Sequence, residues 1–530
     1  MRQVWLQMIP GVAQSDENGR GERSGMSKND TSRRKFLKLA GTAGAILASG
    51  KAYGETGVTA SISAAGILKM VPAEPEQSSV DYTLHIGAAP IEIAPKNILS
   101  TIAYNGQFPG PLLRFKEGHP VTVEIHNDTD TPEQLHWHGQ FVPTDVDGAA
   151  EEGTPFIPAH GMRRITFTPR PSGFRFYHTH NHARADLHAG QYSGQVGPVY
   201  IEAKNDPGDY DREVFLVLKE FEPFFSQGGD VTMDFLAPTT RVRDLQTEGE
   251  WAMRASLAKG MPHGYEVGYR YFTINGRMLG HGEPVRVKRD ERVLFHILNG
   301  SATEIRSLAL PGHTFKVVAL DGNSTPVRAE VPVLWLGTAE RICAIVEMNH
   351  PGVWVMGDLA DDDRGNGMGI VVEYAGQTGD AVWQAPPSFR WNYALFGEQN
   401  PVGEPDELID MIFTKRNAGE HGFNLWAIND RVFPDGSMTP VYHLHQGKRY
   451  RLRMHNATDD IHPIHLHRHS FELTKLAGTA VRGVMKDVMM VGGYQEMEVD
   501  FVADDPGLTL FHCHQQLHMD FGFMTLFDYV

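Results

Sequence analysis

Gly118-His-Pro-Val-Thr-Val-Glu-Ile-His-Asn127 is the stretch on which the fold turns. Val121, Val123 and Ile125 alternate with polar residues, the period of a strand with one buried face. The plan recurs in Asp290-Glu-Arg-Val-Leu-Phe-His-Ile-Leu-Asn299 and in Gly447-Lys-Arg-Tyr-Arg-Leu-Arg-Met-His-Asn456. The terminal asparagines stand 172 and 157 positions apart. That spacing suits three β-sandwich domains of similar size. The expected domains are 79–205, 206–376 and 377–530. Gly and Pro punctuate the seams near Asn205-Asp-Pro-Gly208 and from Gly376 to Pro386.

Composition agrees with an all-β chain. Its 530 residues include 55 Gly and 32 Pro, and short runs rich in Val, Phe and Thr lie between them. Hydrophobic residues at 41% and charged residues at 21% fit a globular protein. The net charge of -17 argues against a nucleic-acid partner, because phosphate binding needs a basic face. No segment approaches ~20 uninterrupted apolar residues, so no transmembrane anchor is implied. The two cysteines are Cys343 and Cys513. A disulfide between them is possible on paper. Cys343, in the apolar run Arg341-Ile-Cys-Ala-Ile-Val346, reads as a free buried cysteine.

The histidines carry the chemistry. Residues i and i+2 of a strand share a face, so His-x-His sets two imidazoles side by side. With 26 histidines, chance supplies roughly 1.3 such pairs. The chain has seven: His136/His138, His178/His180, His180/His182, His443/His445, His465/His467, His467/His469 and His512/His514. In His512-Cys513-His514 strand alternation sends the thiolate to one face and its two neighbours to the other. His465 and His467 share a face, whereas His462 projects elsewhere, towards Cys513. Imidazole with thiolate suits copper. Zinc is the rival for a small N/S site, but it has no redox chemistry and gives no reason for so many pairs.

At His136-Trp-His-Gly139, Phe176-Tyr-His-Thr-His180, His462-Pro-Ile-His-Leu-His467 and His512-Cys-His514 with His518, the sequence resembles the multicopper oxidases, in particular their three-domain laccase-like members. The resemblance covers roughly residues 80–530 and implies three cupredoxin-like Greek-key sandwiches, the middle one without a copper motif. It implies four copper ions. A type 1 copper is held by His462, Cys513 and His518, and a type 2 copper by His136 and His465. One copper of the type 3 pair takes His138, His178 and His514, and the other takes His180, His467 and His512. The axial position falls on Phe523, preceded by Gly522. Phenylalanine offers no lone pair, so a three-coordinate copper of high potential is expected.

Dioxygen reduction consumes protons, so an acid near the cluster is expected. Asp147 matches the family's acidic position, and Asp520 is a second candidate. His182 and His469 extend real pairs without matching the family's ligands, and His443/His445 is about what chance supplies. The implied activity is one-electron oxidation of phenols or aromatic amines coupled to four-electron reduction of dioxygen to water. Its partners are a small-molecule electron donor and dioxygen. One alternative is a cuprous-ion oxidase serving copper tolerance. The chain has no long methionine-rich insert, although Met485, Met489, Met490 and Met497 are close together. A copper-free structural relative is the alternative of another class. Against it, all ten motif histidines and the cysteine are present.

Residues 1–52 read as an address. Ser32-Arg-Arg-Lys-Phe-Leu-Lys38 matches a twin-arginine export signal, and the mildly apolar Leu39 to Gly50 is too short to span a bilayer. Residues 53–78 read as a linker. The expectation is export by the twin-arginine machinery to the periplasm or beyond, with translation starting at Met26.

Overall fold

The computed structural model describes residues 79–203, 208–226, 264–434 and 439–530, apart from the side chains of residues 418 and 419. The expected signal and linker lie outside the described residues.

The three copies of the repeat take equivalent places in three sheets. Val121–Asn127 lies between Tyr82–Ala94, which runs parallel to it, and Met162–Phe167, which runs antiparallel. Arg292–Asn299 lies likewise between Arg212–Ser226 and Arg341–Glu347. Arg449–Asn456 lies between Glu407–Glu420 and Glu496–Val502. Parallel neighbours cannot be joined by a hairpin, so the chain crosses over between them, as a Greek key requires.

The apolar faces of these sheets close against partner sheets. In the first sandwich Leu84, Ile86, Val123 and Ile125 meet Trp137 and Tyr177. The partner sheet there runs in the order Leu113–Lys116, Val196–Glu202, Gly173–His178, His136–His138. In the last sandwich the order is Tyr442–Leu444, Met524–Tyr529, Thr509–Cys513, His462–Leu466, Val488–Val491. All the histidine motifs therefore sit on, or just past, strands of these two partner sheets.

The asparagine closing each repeat has a physical task. Asn127, Asn299 and Asn456 are fully buried. Each side-chain carbonyl accepts from the main-chain N–H two residues on, at 3.0, 3.1 and 3.0 Å. Each side-chain amide donates to a carbonyl of the loop that follows and to one of a distant segment, Asn456 reaching Asp460 O at 2.8 Å and Gly492 O at 2.9 Å. An asparagine can thus fold a loop under the sandwich while leaving little of its own polarity unpaired. In the last sandwich that loop delivers His462.

Candidate metal centre

Two sheets bring eight histidines face to face. His136 lies opposite His178 in the first partner sheet, and His465 lies opposite His512 in the last. His180 and His514 stand just beyond strand ends; His514 is still anchored by its N–H to Pro463 O at 2.7 Å. Across the seam the rings of His136 and His467 stack at 4.1 Å, and those of His138 and His465 at 3.9 Å. All eight are at most 2% exposed.

The protons are placed so that lone pairs converge. A neutral imidazole has one N–H and one lone pair, and a hydrogen bond to an oxygen fixes which nitrogen has which. Six of the eight donate outward to acceptors that can only accept. His136 and His467 give Nδ1–H to Asp147 Oδ2 at 3.1 and 2.8 Å. His465 gives Nδ1–H to Asp487 O at 2.6 Å, and His138 gives Nε2–H to Asp487 Oδ1 at 3.1 Å. His178 and His512 give Nδ1–H to the carbonyls of Thr179 and Cys513, at 2.7 and 2.9 Å. The other nitrogens turn inward, and Nε2 of His467 and Nε2 of His512 are 3.1 Å apart. Those of His136, His138, His178 and His465 have no hydrogen-bond partner, nor has either nitrogen of His180 or His514. Burial, reinforced by neighbouring imidazoles, holds His138, His178, His465, His467, His512 and His514 well below the ordinary histidine range. His180 is held at about 4, chiefly by burial. These rings stay neutral and keep their lone pairs, as metal ligands must.

Cys513 faces the other way. It pairs across the sheet with Ile464, so its side chain leaves by the face His462 uses. Its Sγ lies 3.7 Å from His462 Nδ1 and 3.5 Å from His518 Nδ1, and those nitrogens are 3.1 Å apart. His462 gives its Nε2–H to Thr458 Oγ1 at 2.8 Å, and that hydroxyl donates in turn to Asn456 Oδ1. The proton is thereby kept off Nδ1. Burial pushes the Cys513 thiol well above its usual range, so only a cation seated beside it would favour the thiolate. Phe523 is fully buried with its ring 4.6 Å from that of His462, whereas Met524 packs with Ala149, Leu510 and Met519 in a separate cluster. Gly522, at φ 110°, turns the chain in the left-handed region open to glycine.

The two acids differ in reach. Asp147 touches two of the eight rings directly. Asp520 instead accepts from His182 Nδ1 at 2.8 Å, from the main-chain N–H groups of Ala183 and Arg184, and from Gln516. The other nitrogen of His182 bonds Glu151 Oε1 at 2.8 Å. His182 is therefore a strut between two carboxylates, and His469 bonds His467 O and Tyr529. His443 lies at the surface against Asp528, away from both groups.

Sequence reasoning missed Asp487. This one residue holds a ring from each sheet and is gripped in turn by Arg341, at 2.6 and 2.5 Å, and by Arg175, at 3.1 Å. Asp321 accepts from Arg341 N and Val488 N, and Lys486 bridges Asp321 and Glu340 at 2.8 Å each. Three carboxylates thus meet three cations, all essentially sealed from solvent. Gly139, following His138 at φ 74°, lets the backbone pass against Asp487 and Arg341 where a side chain would collide.

Comparison with known proteins settles the family. Residues 86–206, 254–376 and 407–530 each match a family described as multicopper oxidase. Over 518 residues the chain is 30% identical to the multicopper oxidase MmcO of Mycobacterium tuberculosis, covering 95% of this chain and 97% of that protein. The chain is a multicopper oxidase. Copper resistance protein A of Pseudomonas syringae pv. tomato is 28% identical over 336 residues, 60% of this chain and 52% of that one. The crystal structure of a laccase from Botrytis aclada superposes with a TM-score of 0.65 at 19% identity, covering 84% of this chain and 87% of that one. Multicopper oxidases are copper oxidoreductases that use dioxygen as acceptor. The inward lone pairs without partners, and the His462–Cys513–His518 triangle, fit copper in this multicopper oxidase.

Proposed function

We propose that the protein is a laccase-like oxidase with four coppers that oxidises phenols or aromatic amines one electron at a time and reduces dioxygen to water. The reading rests on the proton placement, which leaves inward lone pairs on the facing rings and a separate His2Cys triangle. His462, Cys513 and His518 would hold the type 1 copper, and Phe523, packed against His462, would offer it no ligand atom. His136 and His465 would hold the type 2 copper. His138, His178 and His514 would hold one type 3 copper, and His180, His467 and His512 the other. Bound copper would supply the one-electron redox chemistry between donor and dioxygen.

The chain's own part is to seat, orient and insulate. His518 is 3% exposed whereas His462 and Cys513 are fully buried, so the donor approaches at His518. Cys513 is covalently continuous with His512 and His514, the shortest link between the two groups. Asp147 orients two rings and is the acid best placed to pass protons, and Asp520 acts one step out through His182. Likeness to the copper resistance protein favours a second reading, oxidation of Cu(I) for copper tolerance. We also assign domains at 79–205, 206–376 and 377–530, and twin-arginine export to the periplasm or beyond, supported by Ser32 to Lys38. No helix among the described residues is long and apolar enough to cross a membrane.

The test compares copper-loaded protein with its Cys513→Ser variant by absorption and paramagnetic resonance. Loss of the blue band with the type 2 signal retained is expected; loss of both would break the site division. Turnover on a phenol against turnover on Cu(I) separates the two substrate readings.

A further inference from the structure

The middle sandwich holds a second histidine–cysteine pair. Arg292–Asn299 and Arg341–Glu347 run antiparallel with His296 directly opposite Cys343, so both side chains leave the same face. Arg212–Ser226 flanks them with Phe215 opposite His296, and Glu213, two residues earlier, shares that face. Cys343 Sγ lies 3.2 Å from His296 Nδ1. The imidazole stacks on Phe215 at 4.4 Å, and Glu213 Oε2 is 3.6 Å from its Nε2. That is an ion-pair distance, too long for a hydrogen bond. His296 is 2% exposed and its Nε2 has no hydrogen-bond partner. His296 and Cys343 line a cavity of about 170 Å³ with Phe174 and Tyr200, and the exposed Arg328–Asp209 ion pair lines it too.

We propose that Cys343 is a nucleophilic thiol site, paired with His296 and oriented by Glu213, that takes small hydroperoxides as its class of reactant. Glu213 stands behind the imidazole and not beside the sulfur, so the arrangement shares a proton where the Cys513 triangle offers three donors to one point. The cavity admits a small molecule, and the pair sets a thiol sulfur beside an imidazole that can take its proton and hand it on. In the step, sulfur attacks one peroxide oxygen; the S–O bond forms and the O–O bond breaks. Sulfur loses two electrons, and the departing oxygen takes the His296 proton and leaves as water or an alcohol. The product is a sulfenic acid on Cys343. Burial alone would lower His296, but the facing Cys343 and Glu213 outweigh it and raise it to about 9, which supports an imidazolium there.

The experiment follows sulfenic acid formation on Cys343 in the full-length, copper-loaded protein treated with hydrogen peroxide and dimedone, resolved by peptide mass spectrometry at pH 6.5. The reference is the same chain unfolded in urea. Native Cys343 is expected to react about tenfold faster than the unfolded thiol, because only in the fold does His296 stand beside the sulfur. An equal or slower native rate overturns the proposal. His296→Gln, checked for intact fold by circular dichroism, is expected to abolish the advantage. Retention of the advantage in that variant also overturns it.

Discussion

Cys513 and Cys343 are both buried, both on central strands and both beside an imidazole, yet they are built for different chemistry. Around Cys513 two histidines, His462 at the start of a strand and His518 in a short helix, turn Nδ1 to one point, and His462 keeps its proton on Nε2 against Thr458. Around Cys343 one histidine arrives from the neighbouring strand and a carboxylate backs it. The cysteine is the same in both; the number of lone pairs aimed at it differs. A metal site needs convergent donors without protons, whereas a reactive thiol needs one donor that keeps its proton.

The sharpest way to break that contrast is a pair of serine variants. Cys513→Ser is expected to cut oxidase turnover about a thousandfold or more, since it removes the sulfur of the proposed type 1 site and its link to His512 and His514. Cys343→Ser should stay within about twofold of the parent. Comparable losses from both, in a steady-state oxygen-uptake assay, would erase the distinction. Next in size is Asp487→Asn, which keeps the shape but removes the charge that Arg175 and Arg341 are buried against. Copper content and turnover should fall about 10- to 100-fold, as when a ligand's supporting partner is lost. Metal analysis beside kinetics would expose a normal copper load.

The asparagines sharpen the comparison further. Asn299→Ala and Asn456→Ala should each cost about 2–3 kcal/mol in urea denaturation, because each leaves buried loop carbonyls unpaired. Only Asn456→Ala should also weaken the blue band, since its loop carries His462. Smallest is Phe523→Met, which should lower the reduction potential without changing copper content, measured by redox titration. An unchanged potential would show that Phe523 is not the axial residue.

Much of this was legible in the sequence because it is local. Alternation alone puts His512 and Cys513 on opposite faces, and the repeat ending in Asn127, Asn299 and Asn456 announces three equivalent strands. The register at Phe523 came from the family resemblance, with Gly522 in its expected place, and the structure packs that ring against His462. Asp487 was not legible. Its importance comes from His138, Arg175 and Arg341, residues 349, 312 and 146 positions away that only tertiary packing assembles. The His296–Cys343 pair was hidden for a related reason. The two are 47 positions apart, and only strand register decides that they face each other. Asp147 was found by its place after a motif, but its grip on rings from two sheets needed the fold.

The carboxylate of Asp487 also sets an order of maturation. It reaches His138 from the first sandwich, leans on Arg341 from the middle one and belongs to the last. None of these groups tolerates burial without the others. The pocket of eight histidines is therefore not complete in any single third of the chain. Its completion needs all three, so copper uptake at that pocket would be a readout of finished assembly.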